Sequence, residues 1–108
     1  MPNLKLFVDR SAPASANLGE TLGPLRDLLC QKLDVPPAAC QLAVVEVIGL
    51  ADQPQINAEL HIMPGPARTR ELLSSLATEI QSVLAEFCDV SVAVRIAQLD
   101  PETYVALK

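Results

Sequence analysis

Two stretches of strict alternation constrain this chain more than anything in its composition. The first is Asn3 to Asp9, with Leu4, Leu6 and Val8 on one side and Asn3, Lys5, Phe7 and Asp9 on the other. The second is Ile56 to Met63, with Ala58, Leu60 and Ile62 set against Asn57, Glu59, His61 and Met63. Period-2 alternation puts one apolar face on a β-strand. Each stretch is followed by a leucine-rich stripe at three- and four-residue steps, and then by a run of β-branched residues. The chain therefore spells β-α-β twice. The residues of the halves 1–52 and 53–108 are not alike, so the repeat is one of structure and not of sequence.

The first stripe is Leu18, Leu22, Leu25, Leu29 and Leu33, with Gly23-Pro24 inside it. Either the regular helix begins near Pro24, with proline in its first turn, or the helix is kinked there. It ends before Val35-Pro36-Pro37, because a residue preceding proline is pushed out of the α region. Gln41 to Leu50 reads as a strand apolar on both faces, and such a strand is covered on both. The second stripe is Leu72, Leu73, Leu76, Ala77, Ile80, Val83, Leu84 and Phe87. A last strand is expected over Val90 to Ala97, followed by a short tail from Leu99 to Lys108. Strand-helix-strand crossovers make the strands of each half parallel and put both helices on one face. The expected fold is α+β, one domain over 1–108: two β-α-β units, a four-stranded mixed sheet and two helices on one side. The other face has no cover from this chain, so self-association is expected.

With 108 residues, half of them apolar, the chain is long enough to bury a core without metal or disulfides. Only Phe7, Phe87 and Tyr104 are aromatic, so that core is aliphatic. The net charge of −5 and the scattered basic residues argue against nucleic acid. No apolar run approaches the ~20 residues of a membrane span, and no signal-peptide pattern opens the chain. A cytoplasmic location follows as the expectation. Cys30, Cys40 and Cys88 are an odd number without C-x-x-C spacing and read as buried structural thiols. No metal site and no cofactor is expected.

Met1-Pro2 directly precedes the first strand. A small second residue lets an initiator methionine be removed, which would leave Pro2 as a secondary amine fixed at the start of a strand. Proline also suits the first residue of a strand with no chemistry attached, since no ladder bond is lost there, so the pair alone leaves a base and an ordinary strand start both open.

Met-Pro and a strand, with paired β-α-β units behind them, resembles the tautomerase superfamily. Val35-Pro36-Pro37 leading to Gln41-Leu42-Ala43-Val44-Val45 is similar to the helix-to-strand passage of the macrophage migration inhibitory factor family. His61 to Glu71 resembles the strand-to-helix passage of the carboxymethyl-hydroxymuconate isomerases, and the tail from Leu99 to Lys108 is similar to theirs.

The resemblance implies a homotrimer with pockets at subunit boundaries, and a tautomerase or isomerase acting on a small enolisable or dienoate acid in the catabolism of aromatic compounds. In it Pro2 is the general base, a role that requires a pKa near working pH; burial and nearby cations would lower that of the amine. Arg68 matches the isomerase arginine before the second helix, with Arg70 the alternative, and either one suits a carboxylate at a helix start. Arg10 falls roughly where oxalocrotonate tautomerases carry a substrate-binding arginine, and His61 lies close to the pocket wall. Bland alternatives stand beside these: a solvated surface arginine and a structural strand histidine. The sequence also departs from the family. Val35 stands where migration inhibitory factors place a lysine, Lys32 is close to a helical turn away, and 41–49 contains no basic residue. A trimeric binding protein that keeps the fold and has lost the chemistry is therefore the second reading. Glu46, an acid among Val45, Val47 and Ile48, has to meet water or a partner and receives no function.

Overall fold

A computed structural model describes residues 1–12, 17–87 and 90–108. Its elements are β1 (Asn3–Asp9), α1 (Leu22–Leu33), β2 (Gln41–Val47), β3 (Ile56–Ile62), α2 (Arg70–Phe87) and β4 (Val92–Gln98). Short 3-10 turns at Leu18–Thr21 and Pro37–Ala39 precede α1 and β2. The strands form one sheet in the order β2-β1-β3-β4. β1 runs parallel to β2, β3 runs parallel to β4, and the two central strands are antiparallel. This is the mixed α+β sheet that the repeated pattern predicts.

The register explains the core. Leu4, Leu6 and Val8 lie opposite Leu60, Ala58 and Ile56, and all are buried. Leu25, Leu29 and Leu33 of α1 close over them together with Leu76, Ile80 and Leu84 of α2. Burying one such side chain is worth about 1.5–3 kcal/mol, so the two central strands and the facing helix stripes carry most of the cohesion. Lys32 and Glu79 join α1 to α2 at 3.0 Å. The other sheet face carries Lys5, Glu59 and Arg95 side by side across three strands, next to half-buried Phe7 and Val45.

Local signals set the helix ends. Pro24 sits in the first turn of α1, where its missing N–H costs nothing, so the first of the two expectations there holds. Asp34, at φ 54°, ends α1 in the left-handed conformation. Thr69 caps α2 by accepting the Leu72 N–H at 3.2 Å.

Strand ends are where sequence and structure part. The run expected to extend to Leu50 stops at Val47, and Ile48 and Leu50 are 81% and 71% exposed. The cause is Asp9, whose carboxylate accepts the Gly49 N–H at 2.9 Å and diverts the backbone from the ladder. A Cβ on Gly49 would displace the flexible amide end of Gln53 and crowd the Asp9 carboxylate at 3.2 Å. β3 ends at Ile62, one residue before the expected Met63, because the Met63 carbonyl accepts a bond from Arg68. β4 covers 92–98 and not 90–97, fixed by the pairing of Val92 with Ile56 and of Gln98 with Ile62. Glu46 is exposed and meets water.

Asp9 also accepts the Ser11 hydroxyl at 2.7 Å and the Ser11 N–H at 2.9 Å. The Ser11 bonds first, then the Gly49 bond, hold its carboxyl below the ordinary 3.8. A carboxyl with a lowered folded-state pKa stabilises above its unfolded value and loses that contribution as the pH falls through the folded value. Asp9→Asn is therefore expected to melt below the parent at neutral pH, with the gap closing in acid below 3.8. Melting curves across pH check this; a gap that persists unchanged in acid would rule the carboxylate out as its source.

Candidate functional site at the start of the first strand

Pro2 is buried, and its carbonyl accepts the Gln41 N–H at 2.9 Å. That bond extends the β1–β2 ladder by one position and draws Cys40 and Gln41 beside the chain start. On the other flank the antiparallel register pairs Asn3 with His61, which puts the end of β3 next to Pro2. The Asn3 Oδ1 is buried there without a hydrogen-bond partner among the described residues.

Two grooves open near this end. One, of about 570 Å³, lies between α2 and β4 and is lined by Arg68, Arg70, Leu73, Ser74, Ala77, Val94, Ile96 and Gln98. The other, of about 360 Å³, lies between α1 and β2 and is lined by Leu22, Gly23, Arg26, Cys40, Gln41 and Leu42.

Arg68 is half-buried and well anchored. Its Nη1 donates to the Met63 carbonyl at 2.6 Å, and its own carbonyl accepts from Gln98 at 3.2 Å. Because Met63 follows directly on β3, this holds the guanidinium at the Pro2 end of the sheet. The remaining N–H groups of the fork are available to a carboxylate. Arg70 opens α2 and is exposed in the same groove. His61 lies at this end too, but exposed on the open sheet face, whereas Pro2 is buried.

Arg10 is elsewhere. Its N–H donates to the Val47 carbonyl at the opposite end of β1, roughly 26 Å along the strand from Pro2. Within one chain, then, Pro2 and Arg68 share an end of the sheet and Arg10 does not. Lys32, one turn before Val35, is engaged with Glu79.

Sequence reasoning missed two cations here. Arg26 lines the α1–β2 groove, and its charge and that of the chain's amino terminus both act on the Cys40 thiol. Lys108 Nζ lies against the Met1 Sδ at the chain start, a contact that exists only while Met1 is retained. Arg26 sits off the leucine stripe like any solvated helix residue, and Lys108 belongs to no periodic element, so neither carried a signal. Sequence reasoning also missed that Cys30 and Cys40 are half-buried and in contact, 3.9 Å apart. Cys88 lies outside the described residues. Among the described residues no group of three or more His, Cys, Asp or Glu side chains could hold a metal ion, and no helix is long and apolar enough to cross a membrane.

No protein-family model matches the sequence, and no curated protein matches it. Solved structures do. A domain of unknown function (DUF1904) from Sebaldella termitidis is 15% identical, with TM-score 0.75, over 98% of this chain and 95% of that one. A macrophage migration inhibitory factor-like protein from Entamoeba histolytica is 10% identical, with TM-score 0.72, over 97% and 94% of the two chains. A fused 4-OT solved as a symmetric trimer is 18% identical, with TM-score 0.68, over 97% and 90%. At such identities the likeness establishes the fold alone, and that fold is tautomerase-like.

Proposed function

We propose that the protein is a proline-dependent tautomerase or isomerase of a small enolisable or dienoate acid. The observation that carries the reading is the shared position of a buried Pro2 and a half-buried Arg68 at one end of the sheet. With Met1 removed, the neutral Pro2 amine takes a proton from the carbon next to a carbonyl. The enolate charge that develops is stabilised by nearby donors, and the amine returns the proton elsewhere on the conjugated system. Arg68 holds the carboxylate, with Arg70 beside it; no cofactor enters. Arg10 and His61 join a site only through a neighbouring copy.

A homotrimer supplies such copies, and a trimeric fused 4-OT has the same fold. Ile48 and Leu50, largely exposed in the turn after β2, and the half-buried apolar residues of the open sheet face are surfaces that copies would cover. The double variant Ile48→Asp/Leu50→Asp is expected to sediment as a smaller species than the parent. An unchanged sedimentation coefficient would remove that turn from the interface. The cytoplasm remains the proposed location.

The first test is the intact mass of untagged protein together with turnover of a phenylenolpyruvate-type acid. A mass short by one methionine and turnover lost in Pro2→Ala support the reading; retained Met1 would leave an amide, which cannot act as a base. The second reading, a trimeric binding protein without turnover, is favoured by one observation: Lys32 is engaged with Glu79. Binding of a small acid without conversion would support it.

A further inference from the structure

The proposed proton transfer leaves the contact between Cys30 and Cys40 unused. Cys30 stands in the last turn of α1, where its carbonyl accepts the N–H groups of both Asp34 and Val35. Cys40 follows the 3-10 turn at Pro37–Ala39 and leads into β2, and its N–H donates to the Pro37 carbonyl at 3.1 Å. Each thiol therefore hangs from an anchored backbone. The chain reverses between them within ten positions and brings the Sγ atoms to 3.9 Å with no disulfide. A disulfide bond is about 2.05 Å long, so closure needs about 2 Å of sulfur travel shared between two χ1 rotations. Cys40 lines the α1–β2 groove of about 360 Å³, and the half-buried Cys30 sulfur lies 3.9 Å from the Cys40 sulfur, so a small oxidant that enters the groove reaches the pair.

We propose that Cys30 and Cys40 are a modification site for hydrogen peroxide and close to a reversible disulfide that ties the last turn of α1 to the start of β2. The Cys30 thiolate attacks one peroxide oxygen, the O–O bond breaks, and the leaving oxygen departs as water after taking up a proton. The Cys40 sulfur then attacks the Cys30 sulfenic acid, forming the S–S bond and releasing a second water. Two thiols are oxidised and one peroxide is reduced to two waters. Burial first, and Cys30 second, push the Cys40 thiol up to about 11. A protonated thiol is a poor nucleophile, so Cys40 passes its proton to the departing hydroxyl of the Cys30 sulfenic acid as the S–S bond forms.

Tryptic cleavage separates the three cysteines: Cys30 falls in 27–32, Cys40 in 33–68 and Cys88 in 71–95. Reduced native protein is treated with hydrogen peroxide, alkylated and digested without reductant. The expected result is a linked 27–32/33–68 species that exceeds both other pairings, disappears with dithiothreitol, persists in Cys88→Ser and is lost in Cys30→Ser. A second measurement compares the same treatment in urea, where the yield of that link is expected to drop several-fold. Absence of the link in the native parent would overturn the proposal, as would equal yield from the unfolded chain or irreversible oxidation of Cys40 alone.

Discussion

Replacing Pro2 by alanine is expected to lower kcat for an enolisable acid by about 10²- to 10⁴-fold, the usual contribution of a positioned general base. The variant retains an amino-terminal amine, so what it loses is placement. The pyrrolidine ring fixes the nitrogen relative to β1, whereas the amine of alanine turns about its N–Cα bond and is primary. A more severe version adds any residue before Pro2. Its nitrogen then becomes an amide, with its lone pair delocalised into the carbonyl, and turnover is expected to vanish. If the neutral amine is the active form, as proposed, kcat/KM of the parent is expected to rise with pH along one deprotonation and to be lost in acid. The measurement is an initial-rate profile of parent, Pro2→Ala and extended protein on one substrate. Equal rates in all three would remove Pro2 from the chemistry, while the backbone bond from Gln41 to the Pro2 carbonyl, present in each, would leave the fold intact.

The parts of the fold legible in the sequence are those decided within one element. Leu4, Leu6 and Val8 face the helices because alternation leaves no other way to bury them, and the same holds for Ala58, Leu60 and Ile62. The helix stripes were legible for the same reason. Strand ends were not, because distant residues set them: Asp9 takes the Gly49 N–H forty positions away, and Arg68 takes the Met63 carbonyl. The candidate site divides in the same manner. Pro2 and Arg68 stood out because each adjoins an element boundary visible in the sequence. The distance of Arg10 from Pro2 depends on both lying at opposite ends of a single strand, which the alternation contains but which spacing from the terminus hides. The contact of Cys30 with Cys40 depends on the Asp34 cap and the Pro37–Ala39 turn acting together, and cysteine spacing says nothing of either.

Arg68→Ala is expected to lower kcat/KM for an acidic substrate by roughly 10²-fold, mainly through KM. Removing one partner of a buried, hydrogen-bonded charge pair costs on the order of 2–5 kcal/mol; the half-buried Arg68 belongs at the low end of that range, and about 1.4 kcal/mol is one factor of ten. Arg68 also braces the turn after β3 through the Met63 carbonyl, so a weakened fold could produce the same loss. Three comparisons separate the causes. Arg68→Lys keeps the charge without the planar fork and is expected to recover only part of the loss, since lysine cannot grip a carboxylate with two parallel bonds. An ester of the same acid carries no carboxylate charge, so its kcat/KM is expected to fall much less in Arg68→Ala than that of the acid. Arg70→Ala removes an exposed arginine with no anchor to β3 and is expected to act more weakly than Arg68→Ala. If Arg68→Ala reduces acid and ester by the same factor and its melting temperature falls in parallel, Arg68 is a clamp on the turn. The next cations to replace are then Arg70 in the same groove and Arg26, which lines the α1–β2 groove beside Gln41.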